Sequence, residues 1–282
     1  MTVRRGFTPF WSGISPRYYP GVLPKKMNIR FLGAHNCESQ NSKLVSLLID
    51  DVLAIDAGAL TSSLSFEAQK KIKAILLTHY HYDHVRDIPA IAMNLFLRQA
   101  TINVYSIPPV YDVLATHLLN GEVYSDFLQQ PASNPTVRFT VMEPDKPLQI
   151  EGYTVLAVPV KHNVPTVGYQ VASADGKTMF YTSDTGPGLA GCWQRVSPQL
   201  LVTEVTAPDK YKKWAAGSGH LSPGLLKQEL TSFRELNGYL PQVVVVHMSP
   251  HLEKEIEAEI AAVAEALGCP ITLGYEGMEL NL

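Results

Sequence analysis

Cysteine is scarce in this chain of 282 residues, and long apolar runs are missing from it. Cys37, Cys192 and Cys269 are odd in number, far apart and in no Cys-x-x-Cys pair. This spacing argues against a disulfide framework and against a cysteine zinc site. No run approaches about 18 consecutive apolar residues, and no apolar stretch follows Arg4 and Arg5. We therefore expect no membrane span, no cleavable signal, and a reducing, cytoplasmic location.

The chain also lacks a strong excess of charge of either sign. Its formal net charge is -3, from 23 Lys and Arg against 26 Asp and Glu. Without an overall basic field, a long nucleic acid is not expected as a partner. A small anionic substrate remains compatible with this balance, because bound divalent cations would be the largest local charges in a site.

The hydrophobic content of 46% is enough for one large core, so residues 28–282 are predicted to form a single domain. Before it, residues 1–27 form an arm that is rich in aromatic residues and proline. The arm is expected to pack on its own domain, because exposed aromatic clusters are usually covered. The alternatives are that it covers the mouth of the site or a neighbouring subunit of a homodimer.

Three imidazoles and one carboxylate lie within seven consecutive residues, Thr78 to His84, directly after an apolar run that predicts a buried strand. In extended chain, residues i and i+2 point to the same side, so His79 and His81 can bind one ion. Asp83 and His84 come where the chain turns into a predicted helix, and therefore face a second position. The strip predicts a two-metal site, and such sites usually perform hydrolysis or phosphoryl chemistry.

The pattern His-x-His-x-Asp-His after an apolar strand resembles the signature of the metallo-β-lactamase superfamily. The resemblance implies an α/β fold, the four-layer αββα sandwich, with the remaining ligands at later strand ends. His162, Asp184 and His247 each follow a predicted strand in the order that the superfamily requires. By resemblance, one ion takes His79, His81 and His162, a second takes Asp83, His84 and His247, and Asp184 bridges both.

Five imidazoles and two carboxylates without a thiolate suit two zinc ions, with manganese or iron as alternatives. A hydroxide that bridges the ions would be the nucleophile, because two Lewis acids lower the pKa of water. Asp83 is expected to orient it or to receive its proton.

Glu204 at a predicted strand end and His220 before Leu-Ser-Pro resemble the phosphodiesterase branch, which includes the tRNA 3′-end nucleases and the class II cyclic-nucleotide phosphodiesterases. His220 would protonate the leaving oxygen or bind a phosphate oxygen, and Glu204 would fix the tautomer of the imidazole. The alternative is a helix-cap pair without a catalytic role.

The segment with His117, Asn120 and Tyr124 resembles a stretch of the class II phosphodiesterases, although Tyr-Ser stands where they have Trp-Pro. The three residues are candidate substrate contacts, or alternatively ordinary packing residues at a helix end.

His251, on the first turn of a predicted helix, is expected at the surface. The hairpin at Asp50-Asp51 is expected at a sheet edge, as the resemblance implies, and a run of antiparallel strands is expected from Val137 onward.

Together these features predict an enzyme, a metal-dependent phosphodiesterase that opens the 3′,5′-cyclic phosphate of cAMP or cGMP to the 5′-monophosphate. A tRNA 3′-end endoribonuclease is the alternative, but no long basic arm for tRNA lies between His162 and Asp184. A hydrolase of another phosphodiester, a thioester or a lactam is a further alternative, against which Glu204 and His220 argue. A scaffold without activity is disfavoured by the intact ligand set.

Overall fold

A computed structural model describes residues 27–282, so the predicted arm lies outside the described residues apart from Met27. Two sheets of seven strands each form the centre of the fold. The strands of the first sheet, in the order in which they pair, are β14 (Glu279–Asn281), β1 (Asn28–Gly33), β2 (Ser46–Ile49), β3 (Leu53–Ile55), β4 (Ala74–Leu76), β5 (Ile102–Ser106) and β6 (Val137–Val141).

The second sheet repeats this plan. Its strands in order of pairing are β13 (Ile271–Leu273), β12 (Gln242–Val246), β11 (Leu200–Glu204), β10 (Thr178–Tyr181), β9 (Val167–Ala172), β8 (Tyr153–Pro159) and β7 (Leu148–Ile150). From β14 and from β7, each sheet has three antiparallel pairings followed by three parallel ones. The sandwich is therefore pseudo-symmetric, as predicted.

The parallel strands are apolar on both faces because one face packs on the other sheet and the opposite face packs on helices. On β12, Val244 and Val246 belong to the core between the sheets, whereas Val243 and Val245 pack against the outer helices. This alternation follows from the two-residue period of a strand. A strand covered on both faces reads as a continuous apolar run, which is why β12 is visible in the sequence.

Helices lie on both sides of the two sheets, which confirms the predicted αββα architecture. They are α1 (Leu60–Ser63), α2 (Phe66–Gln69), α3 (Tyr82–Val85), α4 (Ile88–Phe96), α5 (Pro108–Val113), α6 (Ala190–Trp193), α7 (Lys212–Ser218), α8 (Pro223–Asn237) and α9 (Glu253–Leu267). A π-helical turn, Leu114–Leu118, continues α5. Among residues 27–282, no helix is both long enough and apolar enough to cross a membrane.

Two expectations about strand arrangement are wrong. The hairpin at Asp50-Asp51 forms, with positive φ at both residues, but β14 pairs with β1 and takes the sheet edge. Strand β6 is not part of the antiparallel run, because it pairs in parallel with β5 and closes the first sheet. The crossover through α5 returns the chain in the same direction, as parallel pairing requires.

Leu230 on α8 tests the outer layer, because it is fully buried between this helix and the second sheet. We expect Leu230→Ala to lower the free energy of unfolding by about 2–5 kcal/mol, from lost burial and the cavity left behind. Gln228→Ala, on the exposed face of the same helix, is the matched control and should change it by less than about 0.5 kcal/mol. Chemical denaturation measures both, and equal effects would contradict the described packing.

Candidate metal centre

The predicted metal ligands meet at one rim of the sandwich, where strands of both sheets end. His79 and His81 follow β4 of the first sheet, and His162, Asp184 and His247 follow β8, β10 and β12 of the second. The inner faces of the two sheets hold these strand ends together. The hydroxyl of Tyr169 donates to the carbonyl of Leu77 at 2.8 Å, directly below the strip.

One group of ligand atoms comes from His79, His81, His162 and Asp184, and its atoms lie within 4.8 Å of one another. His79 Nε2 and His162 Nε2 lie 3.1 Å and 3.2 Å from His81 Nδ1. Burial is the largest influence on each of the three imidazoles and lowers its pKa below the usual value. Neutral imidazoles with converging lone pairs are the form that binds a metal ion.

A second group comes from Asp83, His84, His247 and again Asp184, with its atoms within 4.8 Å of one another. His247 Nε2 lies 3.3 Å from Asp83 Oδ2 and 3.3 Å from Asp184 Oδ2. Burial lowers the pKa of His84, but Asp184, Asp83 and Asp56 outweigh burial and raise it well above its usual value. The negative field that does this also favours a divalent cation.

Asp184 belongs to both groups, since its Oδ2 lies 3.8 Å from His79 Nε2 and its Oδ1 lies 3.3 Å from His84 Nε2. These last two atoms are buried, yet neither makes a hydrogen bond within the described part of the chain. Buried polar atoms without a hydrogen bond are costly unless something else binds them. A divalent cation fits this position, because both atoms are ordinary metal donors.

Hydrogen bonds behind the cluster orient its imidazoles. His84 Nδ1 donates to Asp56 Oδ2 at 2.7 Å, and His162 Nδ1 donates to the carbonyl of Gly219 at 2.8 Å. His247 Nδ1 lies 2.9 Å from Thr206 Oγ1. In each case the Nε2 atom is left facing the cluster, which is the arrangement that supports metal binding.

Sequence reasoning did not identify Asp56, Thr206 and Gly219 as parts of the centre. Asp56 is fully buried and also accepts from the backbone N–H of Thr78 at 2.9 Å. Its visible signal is a carboxylate directly after the predicted strand β3. The other two flank Glu204 and His220, which the sequence had already singled out, but nothing in their own residue types marks a role.

The backbone is left-handed at three strand ends in this centre. Asp56, Ser183 and His247 have φ of 57°, 60° and 63°. This conformation is uncommon for residues other than glycine, and non-glycine residues in it concentrate at functional sites. At His247 it turns the imidazole from the end of β12 towards Asp83 and Asp184.

His220 and Glu204 lie beside the second group. Glu204 is fully buried, and its Oε1 lies 2.8 Å from His220 Nδ1. The other donors to this carboxylate are the backbone N–H groups of Thr185 and Leu221 and the hydroxyl of Thr206. Because these donors occupy both oxygens, Glu204 is suited to hold His220 and not to bind a metal.

The imidazole of His220 packs against two predicted ligands, with ring centroids 5.0 Å from His162 and 5.4 Å from His247. Burial lowers the pKa of His220, but Glu204 outweighs burial and raises that pKa to about 9. A protonated imidazole whose Nδ1 is bound to Glu204 keeps the Nε2 proton for an acceptor. The pair therefore has the charge and orientation of a proton donor.

Among residues 27–282, no hydrogen bond or ring contact joins His117, Asn120 or Tyr124 to the predicted ligands. Asn120 accepts from the backbone N–H groups of Glu122 and Val123 at 2.9 Å each, which gives it a turn-stabilising role. His117 is exposed, and Tyr124 packs near Phe127 with ring centroids 6.1 Å apart. Their part in substrate binding stays a prediction. His251 is exposed, as expected.

Comparison with known proteins fits this arrangement of ligands. Residues 47–248 match the model of the β-lactamase superfamily domain, and this range holds every predicted ligand. The chain belongs to the metallo-β-lactamase superfamily. Both the predicted resemblance and the predicted class of hydrolase are confirmed at this level.

Relatives of the predicted branch are among the similar proteins of this superfamily. Ribonuclease Z of Pyrococcus abyssi (strain GE5 / Orsay) is 34% identical over 114 residues, 39% of this chain and 34% of that protein. The chain thus spans about a third of the length of the first curated relatives it matches.

Two solved structures of the superfamily cover most of the chain. Unliganded yeast PDE1 has a TM-score of 0.79 at 17% identity, and covers 91% of this chain and 99% of that one. Human tRNase Z, short form, has a TM-score of 0.64 at 20% identity, and covers 90% and 98%. At these identities the likeness shows the shared fold.

Asp56→Asn tests the positioning of His84 in this metallo-β-lactamase centre. The amide weakens the hydrogen bonds that fix the Nδ1 proton of His84, so we expect metal affinity to fall by about 10- to 100-fold. Competition with a chromogenic chelator measures the affinity. Asp112→Asn, at an exposed position of α5, is the control and should leave it unchanged. Equal affinities of wild type and Asp56→Asn would contradict this role.

Proposed function

We propose that the chain is a dinuclear metal-dependent phosphodiesterase that hydrolyses a small cyclic nucleotide, cAMP or cGMP, to the 5′-monophosphate. The observation that carries the proposal is the position of His220, a proton donor held by Glu204 beside two ligand groups that share Asp184. A proton donor next to the metal positions is needed when a P–O bond breaks, because the leaving oxygen gains charge.

In this proposal His79, His81 and His162 would hold one ion, Asp83, His84 and His247 would hold the other, and Asp184, which belongs to both groups, would serve both. Zinc suits these nitrogen and oxygen donors, with manganese or iron as alternatives. When bound, the two ions would supply Lewis-acid stabilisation of phosphate oxygens and an activated water. Burial raises the pKa of Asp83, but His84 and His247 outweigh burial and hold it below its usual value, so the carboxylate stays ionised and suited to bind an ion or to orient the water.

The short connection between His162 and Asp184 supports a small substrate. Between His162 and Asp184 the described chain contains only β9, β10 and their turn at Gly176. This stretch therefore offers no extended basic arm that would hold a tRNA. A nucleotide is small enough to bind at the rim of the sandwich alone, without such an arm.

Cleavage of tRNA precursors is the second candidate, and the sequence similarity to Ribonuclease Z of Pyrococcus abyssi favours it. The two candidates share the centre and differ in the size of the substrate. Comparing the rate of tRNA precursor cleavage with the rate of cAMP hydrolysis decides between them, and faster cleavage of the tRNA precursor would reverse the ranking.

Metal removal tests the hydrolytic centre directly. Protein stripped by a chelator is expected to lose activity on bis(p-nitrophenyl) phosphate and on cAMP, and to regain both activities with zinc or manganese.

Asp184→Ala should bind fewer than two ions per chain and stay inactive after reloading, because it removes a donor from both groups. Full activity of this variant would exclude the shared-ligand arrangement. If the reloaded wild-type protein hydrolyses the chromogenic diester but not cAMP, the cyclic-nucleotide substrate is excluded.

His220→Ala tests the proton donor. We expect the turnover of cAMP to fall by about 100-fold or more, which is the usual contribution of general acid catalysis. The loss on bis(p-nitrophenyl) phosphate should be much smaller, because p-nitrophenolate leaves without a proton. His251→Ala, which removes an exposed histidine outside the predicted ligand groups, is the control. Equal losses on both diesters would assign His220 to another role.

A further inference from the structure

The side chain of Trp214 lies beside the metal centre and is exposed, which is unusual for a large aromatic residue. Its exposed fraction is 57%, whereas Trp193 is 1% exposed and donates its indole N–H to Glu229. Within residues 27–282, the only aromatic ring that the indole meets is the imidazole of His220. A large apolar surface left open at the rim of a site is a place where a ligand gains by covering it.

Three nearly parallel rings connect the second ligand group to this surface. His247 and His220 stack with centroids 5.4 Å apart and planes 15° apart. His220 and Trp214 continue the stack, with centroids 6.4 Å apart and planes 20° apart. The series runs from a predicted metal ligand, through the proposed proton donor, to an indole in contact with solvent.

The position of Trp214 is fixed relative to the centre. It lies on α7, whose Ala215 is fully buried and accepts from the backbone N–H of His220 at 2.8 Å. Gly219 follows the last residue of the helix with a φ of 80°, and a Cβ there would lie 2.9 Å from His162 Nδ1. The carbonyl of this glycine is the one that orients His162. The helix that presents the indole is therefore tied to the ligand cluster at its carboxyl end.

We propose that Trp214 is a stacking surface for a planar ring, a nucleobase or an aryl group, on the leaving-group side of the phosphodiester. The inference rests on the proposed function, because His220 defines which side of the phosphate leaves. Beyond His220 the next planar surface is the indole, so the group attached to the leaving oxygen passes over it. Stacking on an aromatic side chain accepts every base, because each base has a π-face.

Binding of two ligands that differ only in the base tests this surface. Calorimetry on the zinc-loaded protein compares 5′-AMP with ribose 5-phosphate, which keeps the sugar and phosphate. Trp214→Ala is expected to weaken the binding of 5′-AMP by about tenfold and to leave ribose 5-phosphate unchanged, because only the base loses its stacking partner. Trp214→Phe should keep part of the preference for 5′-AMP.

Phe66→Ala is the matched control, since Phe66 is 56% exposed and lies on α2, before β4, whereas the histidine strip follows that strand. It should change neither affinity. Equal weakening of both ligands by Trp214→Ala would overturn the stacking role, and so would wild-type protein that binds both ligands alike. Failure of the proposed function has a different signature, the absence of diester hydrolysis by the reloaded wild type.

Discussion

The contact of Asp56 with both ends of the histidine strip is the constraint on which the centre depends. Its carboxylate accepts from the N–H of Thr78 at 2.9 Å and from His84 Nδ1 at 2.7 Å. One buried group thereby fixes where the strip leaves β4 and how its last imidazole faces the cluster. A buried carboxylate is tolerated only when such donors surround it, so fold and site stabilise each other here.

The repeated sheet plan explains why the remaining ligands arrive at the same rim. Parallel strands end at a common edge, and each sheet contains a run of them. The ligands from the second sheet reach the strip of the first because the sheets pack face to face through a continuous apolar core. Segments that are far apart in sequence therefore each supply a ligand side chain from a strand end that the fold already orders.

Much of the fold could be predicted because its signals are local. Strand β12 shows the continuous apolar run that burial on both faces imposes, and helix α9 shows the 3.6-residue period of a helix buried on one face. Strand β14 is only three residues long and pairs with β1 from the opposite end of the chain, so its own residues carry no comparable signal. The direction of β6 depends on the path through α5, which periodicity does not encode. Pairing between distant segments is thus the part that local patterns leave open.

The difference between local signals and long-range contacts also applies to the residues of the centre, and it bears on substrate specificity. The predicted ligands are visible because their residue types are rare together, whereas nothing in the residue types of Asp56 and Trp214 marks a role. Their places show only in the structure, where Asp56 meets His84 and Trp214 meets His220. Asp56 is buried under the strip, where any change disturbs the fold and the ligands together. Trp214 is exposed on a short helix, where a change alters the surface without disturbing the core. Substrate preference can therefore vary at α7 while the hydrolytic chemistry stays constant, since the two depend on side chains with different burial.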